Sequence, residues 1–132
     1  QNLIVTHREV GKLEIDEAKE AAKKMFGTFD HPTAVFVASD HMAFAVMDVL
    51  RSDIGLRIPQ DVSIIGFDDV SLASYSAYDL TTIRQPITQM VDSTVDILLN
   101  QIEHPIVAGN NVIKIDPVLV KRGTCKINKE KE

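Results

Sequence analysis

The stretch Val62-Ser63-Ile64-Ile65-Gly66-Phe67-Asp68-Asp69 joins a run of apolar and β-branched residues to a pair of carboxylates. Entered from Pro59-Gln60-Asp61, such a run predicts a strand buried on both faces of a parallel sheet. In an open parallel sheet, ligands bind outside the carboxyl ends of the strands, and that is where Asp68 and Asp69 would stand.

Immediately upstream, Thr33-Ala34-Val35-Phe36-Val37-Ala38 has the same plan and ends at Ser39-Asp40. Between the two strands, residues 40–51 predict a helix that is apolar on nearly every side, with Met42, Phe44, Val46, Met47, Val49 and Leu50, and Gly55 closes it. A helix of that kind must be covered on two faces. Residues 34–67 therefore form a βαβ unit, whose crossover is right-handed almost without exception. If its strands are neighbours, Ser39-Asp40 and Asp68-Asp69 share one rim.

Further upstream, Ile15, Ala18, Ala21, Ala22 and Met25 fall at helical spacing over residues 14–26. Acids open this helix and Lys23 and Lys24 close it, as the helix dipole favours, with Gly27 following. Residues 3–6 predict a short strand. Downstream lie a Ser- and Tyr-rich loop over 70–78 and an extended segment over 80–83. A helix then opens at Gln85-Pro86, with Pro in its favoured first position. Its stripe is Ile87, Met90, Val91, Val95, Leu98 and Ile102. Residues 112–115 and 118–120 are strand-like, and 126–132 form a charged tail.

The 132 residues suit one domain with a true core, and 45% hydrophobic with 25% charged content is ordinary for a globular chain. A net charge of −5 gives no overall attraction for a phosphate backbone, so any contact with DNA would belong to another segment. A single Cys, Cys125, allows no internal disulfide and leans towards a reducing compartment. No apolar run approaches a membrane span, and the first residues do not resemble a secretory signal. The absence of an initiator Met suggests a piece of a longer protein.

Carboxylates at a strand end accept hydrogen bonds from hydroxyls, and charged acceptors roughly double the strength of each bond, so the acidic rim suits a sugar or polyol. Its other reading is structural: Ser39 or Asp40 would cap the helix, and Asp68 or Asp69 a turn. Both readings stand open on the residues, with capping preferred for Asp40. Metal binding through His41, Asp40, Asp68 and Asp69 has no ligand spacing behind it. No P-loop, dinucleotide fingerprint or nucleophile elbow is present, so neither a cofactor nor an enzymatic activity is expected. A face of the Phe44 helix left over after packing on the sheet would call for a second subunit, and burial inside the same domain is the alternative.

Pro32-Thr33-Ala34-Val35-Phe36, Ser39-Asp40-His41-Met42-Ala43, Arg57-Ile58-Pro59-Gln60-Asp61-Val62-Ser63, Gly66-Phe67-Asp68-Asp69, Leu80-Thr81-Thr82-Ile83-Arg84-Gln85-Pro86 and Leu119-Val120-Lys121-Arg122-Gly123-Thr124 together resemble the LacI/GalR family of bacterial transcription regulators. Their order and spacing carry the resemblance from about residue 32 to 126. It implies an α/β fold: the parallel-sheet, doubly wound C-terminal subdomain of a type I periplasmic-binding-protein-like effector domain. Residues 1–125 would be this C-terminal half and 126–132 a tail, with the helix over 86–103 packing on an N-terminal subdomain this chain lacks. Without that subdomain, the stripe of this helix would be covered by another copy or displaced.

The resemblance also implies roles. Asp68 would contact the effector, Ser39 would face it where family members often carry Asn, and Ile87 would supply an apolar wall. Asp40 and Asp69 would be supporting or capping residues. Phe44, Met47, Tyr75 and Ser76 would lie at a homodimer interface. The implied protein is a cytoplasmic, sugar-responsive regulator that meets DNA only through a helix-turn-helix absent from this chain. Two other readings are a solute-binding protein of a sugar transport system and, more distantly, a phosphoacceptor receiver domain. That last class places its acid pair after the first strand, whereas here the pair follows a later one. With the opposite wall of the cleft missing, this chain alone would bind its effector poorly.

Overall fold

A computed structural model describes residues 4–104 and 112–127. Its elements in order are α1 (Ile15–Phe26), β1 (Ala34–Phe36), α2 (Asp40–Asp48), β2 (Ser63–Asp68), β3 (Thr82–Arg84), α3 (Ile87–Glu103) and β4 (Val118–Val120). The helix of α2 runs on as a wider π-helical turn, Val49–Ile54, and a 3-10 turn occupies Ser71–Ser74. The strands lie in the order β1-β2-β3-β4, parallel except for the last pair. The carboxyl ends of β1, β2 and β3 therefore share one rim, as the βαβ reading requires.

The core is built around α2. Met42, Ala43, Phe44, Ala45, Val46, Met47, Val49 and Leu50 are all buried, against Ala18, Ala22 and Phe26 of α1 on one side and Val62 and Ile64 on the other. Gly55 ends the helical run in the left-handed conformation (φ 82°), which a residue without a β-carbon adopts at no steric cost.

Several expectations change on folding. Strand β2 is not buried on both faces: Val62, Ile64 and Gly66 are buried, whereas Ser63, Ile65 and Phe67 are half-exposed. The registers of the strand pairs put Phe36, Ile65, Phe67, Ile83 and Leu119 on this second face, where Phe36 is 56% and Leu119 48% exposed. An unbroken apolar run reports that both sides can be covered, and here helices cover one. Residues 4–6 form no strand: among the described residues β1 is the sheet edge and none pairs with its outer side; Ile4 and Val5 are exposed, and Leu3 lies outside the described residues. The strand expected over 33–38 shortens to β1. Of the last two strands only β4 forms, antiparallel to β3, and 112–117 is irregular. Of the tail, only 126 and 127 are described.

Helix α3 starts one residue later than expected, at Ile87, with Pro86 at the cap position instead of the first helical one. None of its residues is buried.

Candidate functional site

The rim is assembled by short parallel strands whose ends carry polar residues, with Ser39 after β1, Asp68 and Asp69 at β2, and Arg84 and Gln85 at β3. Two of these residues hold backbone conformations that side chains disfavour. Asp68 has φ 123° and Asp69 φ 59°. Strain of this kind persists only where surrounding contacts over-determine it.

Those contacts are present. Asp40 is fully buried, and its carboxylate accepts hydrogen bonds from the Thr82 hydroxyl (2.6 Å) and from the Val70 N–H (2.9 Å). It ties the start of α2 to β3 and to the residue that follows the acid pair. It is not the helix cap, and Ser39, which stands at the cap position, makes no capping hydrogen bond either. A β-carbon on Gly66 would collide with Asp40 Oδ1, so glycine in this motif allows the carboxylate to approach the strand.

Asp69 has a side chain only 4% exposed, and two arginines grip it. Arg84 Nε donates to Oδ2 (2.5 Å) and Arg122 Nη2 to Oδ1 (2.7 Å). Burial alone would raise its pKa; the hydrogen bonds from Arg122 and Arg84 and their charges outweigh burial and hold the carboxyl below its ordinary range. Arg122 also donates through Nη1 to the Leu80 carbonyl (2.8 Å), and its backbone N–H donates to the Thr81 hydroxyl (2.9 Å).

Asp68 stands differently. It is half-exposed, and one oxygen, Oδ1, accepts from Gln85 Nε2 at 2.7 Å. The rim thus offers a partly occupied carboxylate, an uncapped serine hydroxyl and the remaining amide groups of Gln85, a set able to hydrogen-bond a polyhydroxy ligand. Ile87, the first residue of α3, is 57% exposed, two residues beyond Gln85.

Of the residues expected at a dimer face, Phe44 and Met47 are absorbed by the core, at 5% and 0% exposure. Phe44 stacks on Tyr78, ring centroids 4.3 Å apart. Their burial follows from α1 and β2 covering both sides of α2. Tyr75 and Ser76 remain exposed. Among the described residues no group of three or more potential metal ligands occurs, and no helix is long and apolar enough to cross a membrane. Cys125 donates its thiol to the Ile64 carbonyl (3.2 Å).

Sequence reading passed over Arg84, Arg122 and Gln85 as site residues. The nearest available signal was two cations and an amide in the segments that flank the last two strands. A cavity of about 550 Å³ lies elsewhere, between the segment 8–13, α1, β1 and α2, and does not include Asp68 or Ser39.

Comparison with known proteins places these features in a family. Residues 2–125 match the periplasmic binding protein-like domain. The HTH-type transcriptional repressor PurR of Vibrio vulnificus is 42% identical over 119 residues, which are 88% of this chain and 34% of that protein. PurR of Vibrio atlanticus is 36% identical over 126 residues, 96% of this chain and 36% of that protein. The chain thus spans about a third of the length of the curated relatives it matches. The Lac repressor bound to ONPG superposes with a TM-score of 0.71 at 33% identity, over 83% of this chain and 33% of that one. The complex of the regulator CelR with cellobiose gives a TM-score of 0.75 at 27% identity, over 85% and 34%.

Proposed function

We propose that this chain, which belongs to the periplasmic-binding-protein-like domain family in its LacI/GalR form, serves as part of the effector-binding module of a bacterial transcription regulator. The effector is a sugar or a similarly hydroxyl-rich small molecule, and Asp68 is its principal contact. The observation that carries this reading is the contrast within the acid pair. Both carboxylate oxygens of Asp69, whose side chain is 4% exposed, are engaged by arginines, whereas Asp68, at the carboxyl end of β2, accepts through Oδ1 from Gln85 and, among the described residues, through that oxygen alone. Ser39 supplies a second hydrogen-bonding group, and Ile87 an apolar wall.

In this reading the whole protein acts in the cytoplasm as a homodimer, with Tyr75 and Ser76 at the contact. It meets DNA through a separate helix-turn-helix, in keeping with the acidic charge of this chain and with the HTH-type repressors it resembles. Effector binding shifts the protein between states of different operator affinity, which requires that effector bind those states unequally. The face of α3 packs on the other half of the effector domain.

The test is titration calorimetry on the natural full-length protein with glucose, ribose and cellobiose as probes, before and after Asp68→Asn. The charged acceptor contributes about 1.5–3 kcal/mol, so the tightest probe should weaken roughly tenfold or more while the melting curve is retained. Equal affinity in the two proteins removes Asp68 from the site.

A further inference from the structure

Asp69 does not need to touch the effector to govern it. Of the residues between β3 and β4, those described (85–104 and 112–117) add no strand to the sheet, and α3 among them has no buried residue. Arg84 is the last residue of β3, where this excursion departs, and Arg122 lies two residues beyond β4, where it has returned. Both arginines converge on the one carboxylate of Asp69. Asp69 in turn is covalently next to Asp68, whose φ of 123° is a conformation that favours glycine. The far side of the turn is fixed as well, by the Val70 N–H bonded to Asp40.

We propose that Asp69 is a positioning residue: gripped by Arg84 and Arg122, it holds the strained Asp68 turn so that the Asp68 carboxylate is aimed outward at the rim, and it ties that aim to both strands leading to and from the α3 excursion. The inference rests on Asp68 being the effector contact. Of the energetic roles open to an ion pair that is buried on the Asp69–Arg122 side and exposed on the Arg84 side, fixing a geometry is the one that fits here, since neither exposed nor buried pairs contribute much net stability. A planar, charge-assisted arginine contact on each carboxylate oxygen leaves the Asp69 side chain no rotational freedom, and the neighbouring turn inherits that constraint.

The first measurement is made on this chain by NMR and requires no ligand. Asp69→Asn and, separately, Arg84→Gln are compared with the parent for the HN–Hα coupling of Asp68, which is small at its present φ and rises as the residue relaxes to extended backbone. Arg84 is 57% exposed in its side chain, so the second variant removes one arm of the grip with little risk to folding. The expected result is a raised Asp68 coupling in both variants, with the couplings of Ile64 and Ile65 unchanged. An Asp68 coupling that stays at the parent value in both overturns the proposal, whatever happens to the melting temperature.

The second measurement is cellobiose affinity in the natural full-length protein. A relaxed turn should weaken it about tenfold in Arg84→Gln, the equivalent of one misaligned charge-assisted hydrogen bond, with partial rescue in Arg84→Lys, which keeps the charge but not the planar donor. If the couplings respond but cellobiose affinity is absent or indifferent to Asp68→Asn, the positioning role stands and the sugar-contact reading of Asp68 falls.

Discussion

Helices α2 and α3 are both rich in apolar residues, yet eight of the nine residues from Met42 to Leu50 are buried, while α3 has no buried residue in seventeen. The difference does not lie in helix-forming tendency. It lies in supply: α2 runs between two strands that pair with each other, so the crossover lays it on β2, and α1 covers its other side, whereas α3 follows a strand whose next partner is the antiparallel β4. An apolar stripe states a need for a neighbour, and tertiary connectivity decides whether the same chain meets it.

The largest consequence falls on α2. Leu50 is fully buried in the π-helical turn that continues the helix. Leu50→Ala should lower unfolding free energy by about 2–5 kcal/mol, through lost transfer energy and the cavity left behind. Urea denaturation of the chain measures it. A loss below about 1 kcal/mol would show that the core around α2 is loosely packed and that the contrast with α3 is weaker than the burial suggests.

A smaller effect is expected where the core meets the rim. Asp40→Ala leaves the buried Thr82 hydroxyl without its acceptor, at about 1–3 kcal/mol for an unsatisfied group, while the N–H of the half-exposed Val70 can turn to water. Asp40→Asn keeps one carbonyl acceptor and should cost less than Asp40→Ala in the same urea titration. If the two variants were equal, the anionic charge rather than the geometry of the acceptor would be what the rim needs.

These two positions also mark how far the sequence could be read. The βαβ unit, the closing Gly55 and the opening Pro86 were legible because they are local: periodicity, an achiral residue and a ring-fixed φ act within a few positions. The rim was legible as a place, since strand ends are dictated by the same periodicity. The division of labour within it was not. Asp40 finds partners 30 and 42 residues away, and Asp69 finds its arginines 15 and 53 residues away. Nothing in the spelling Gly-Phe-Asp-Asp separates a gripped acid from a half-free one. The second face of the sheet failed for a related reason: apolar residues at Ile65 and Phe67 permit burial, and permission alone brings no neighbour to cover them.

The smallest effect belongs to α3. Leu98 is 52% exposed, and leucine and alanine have nearly equal helix propensity, so Leu98→Ala removes neither a packed neighbour nor a favourable backbone choice. The change in unfolding free energy should stay within about 0.5 kcal/mol, as for surface positions generally. The measurement sharpens the comparison because its failure has a definite meaning. A loss above about 1 kcal/mol requires that Leu98 be desolvated in solution, against a second copy of the chain or against the open face of its own sheet. Concentration dependence distinguishes the two: a loss that shrinks on dilution is carried by a second copy, because mass action couples association to stability, whereas a loss that is constant on dilution is carried within one chain. In either case α3 would join α2 as a helix whose stripe has found its cover.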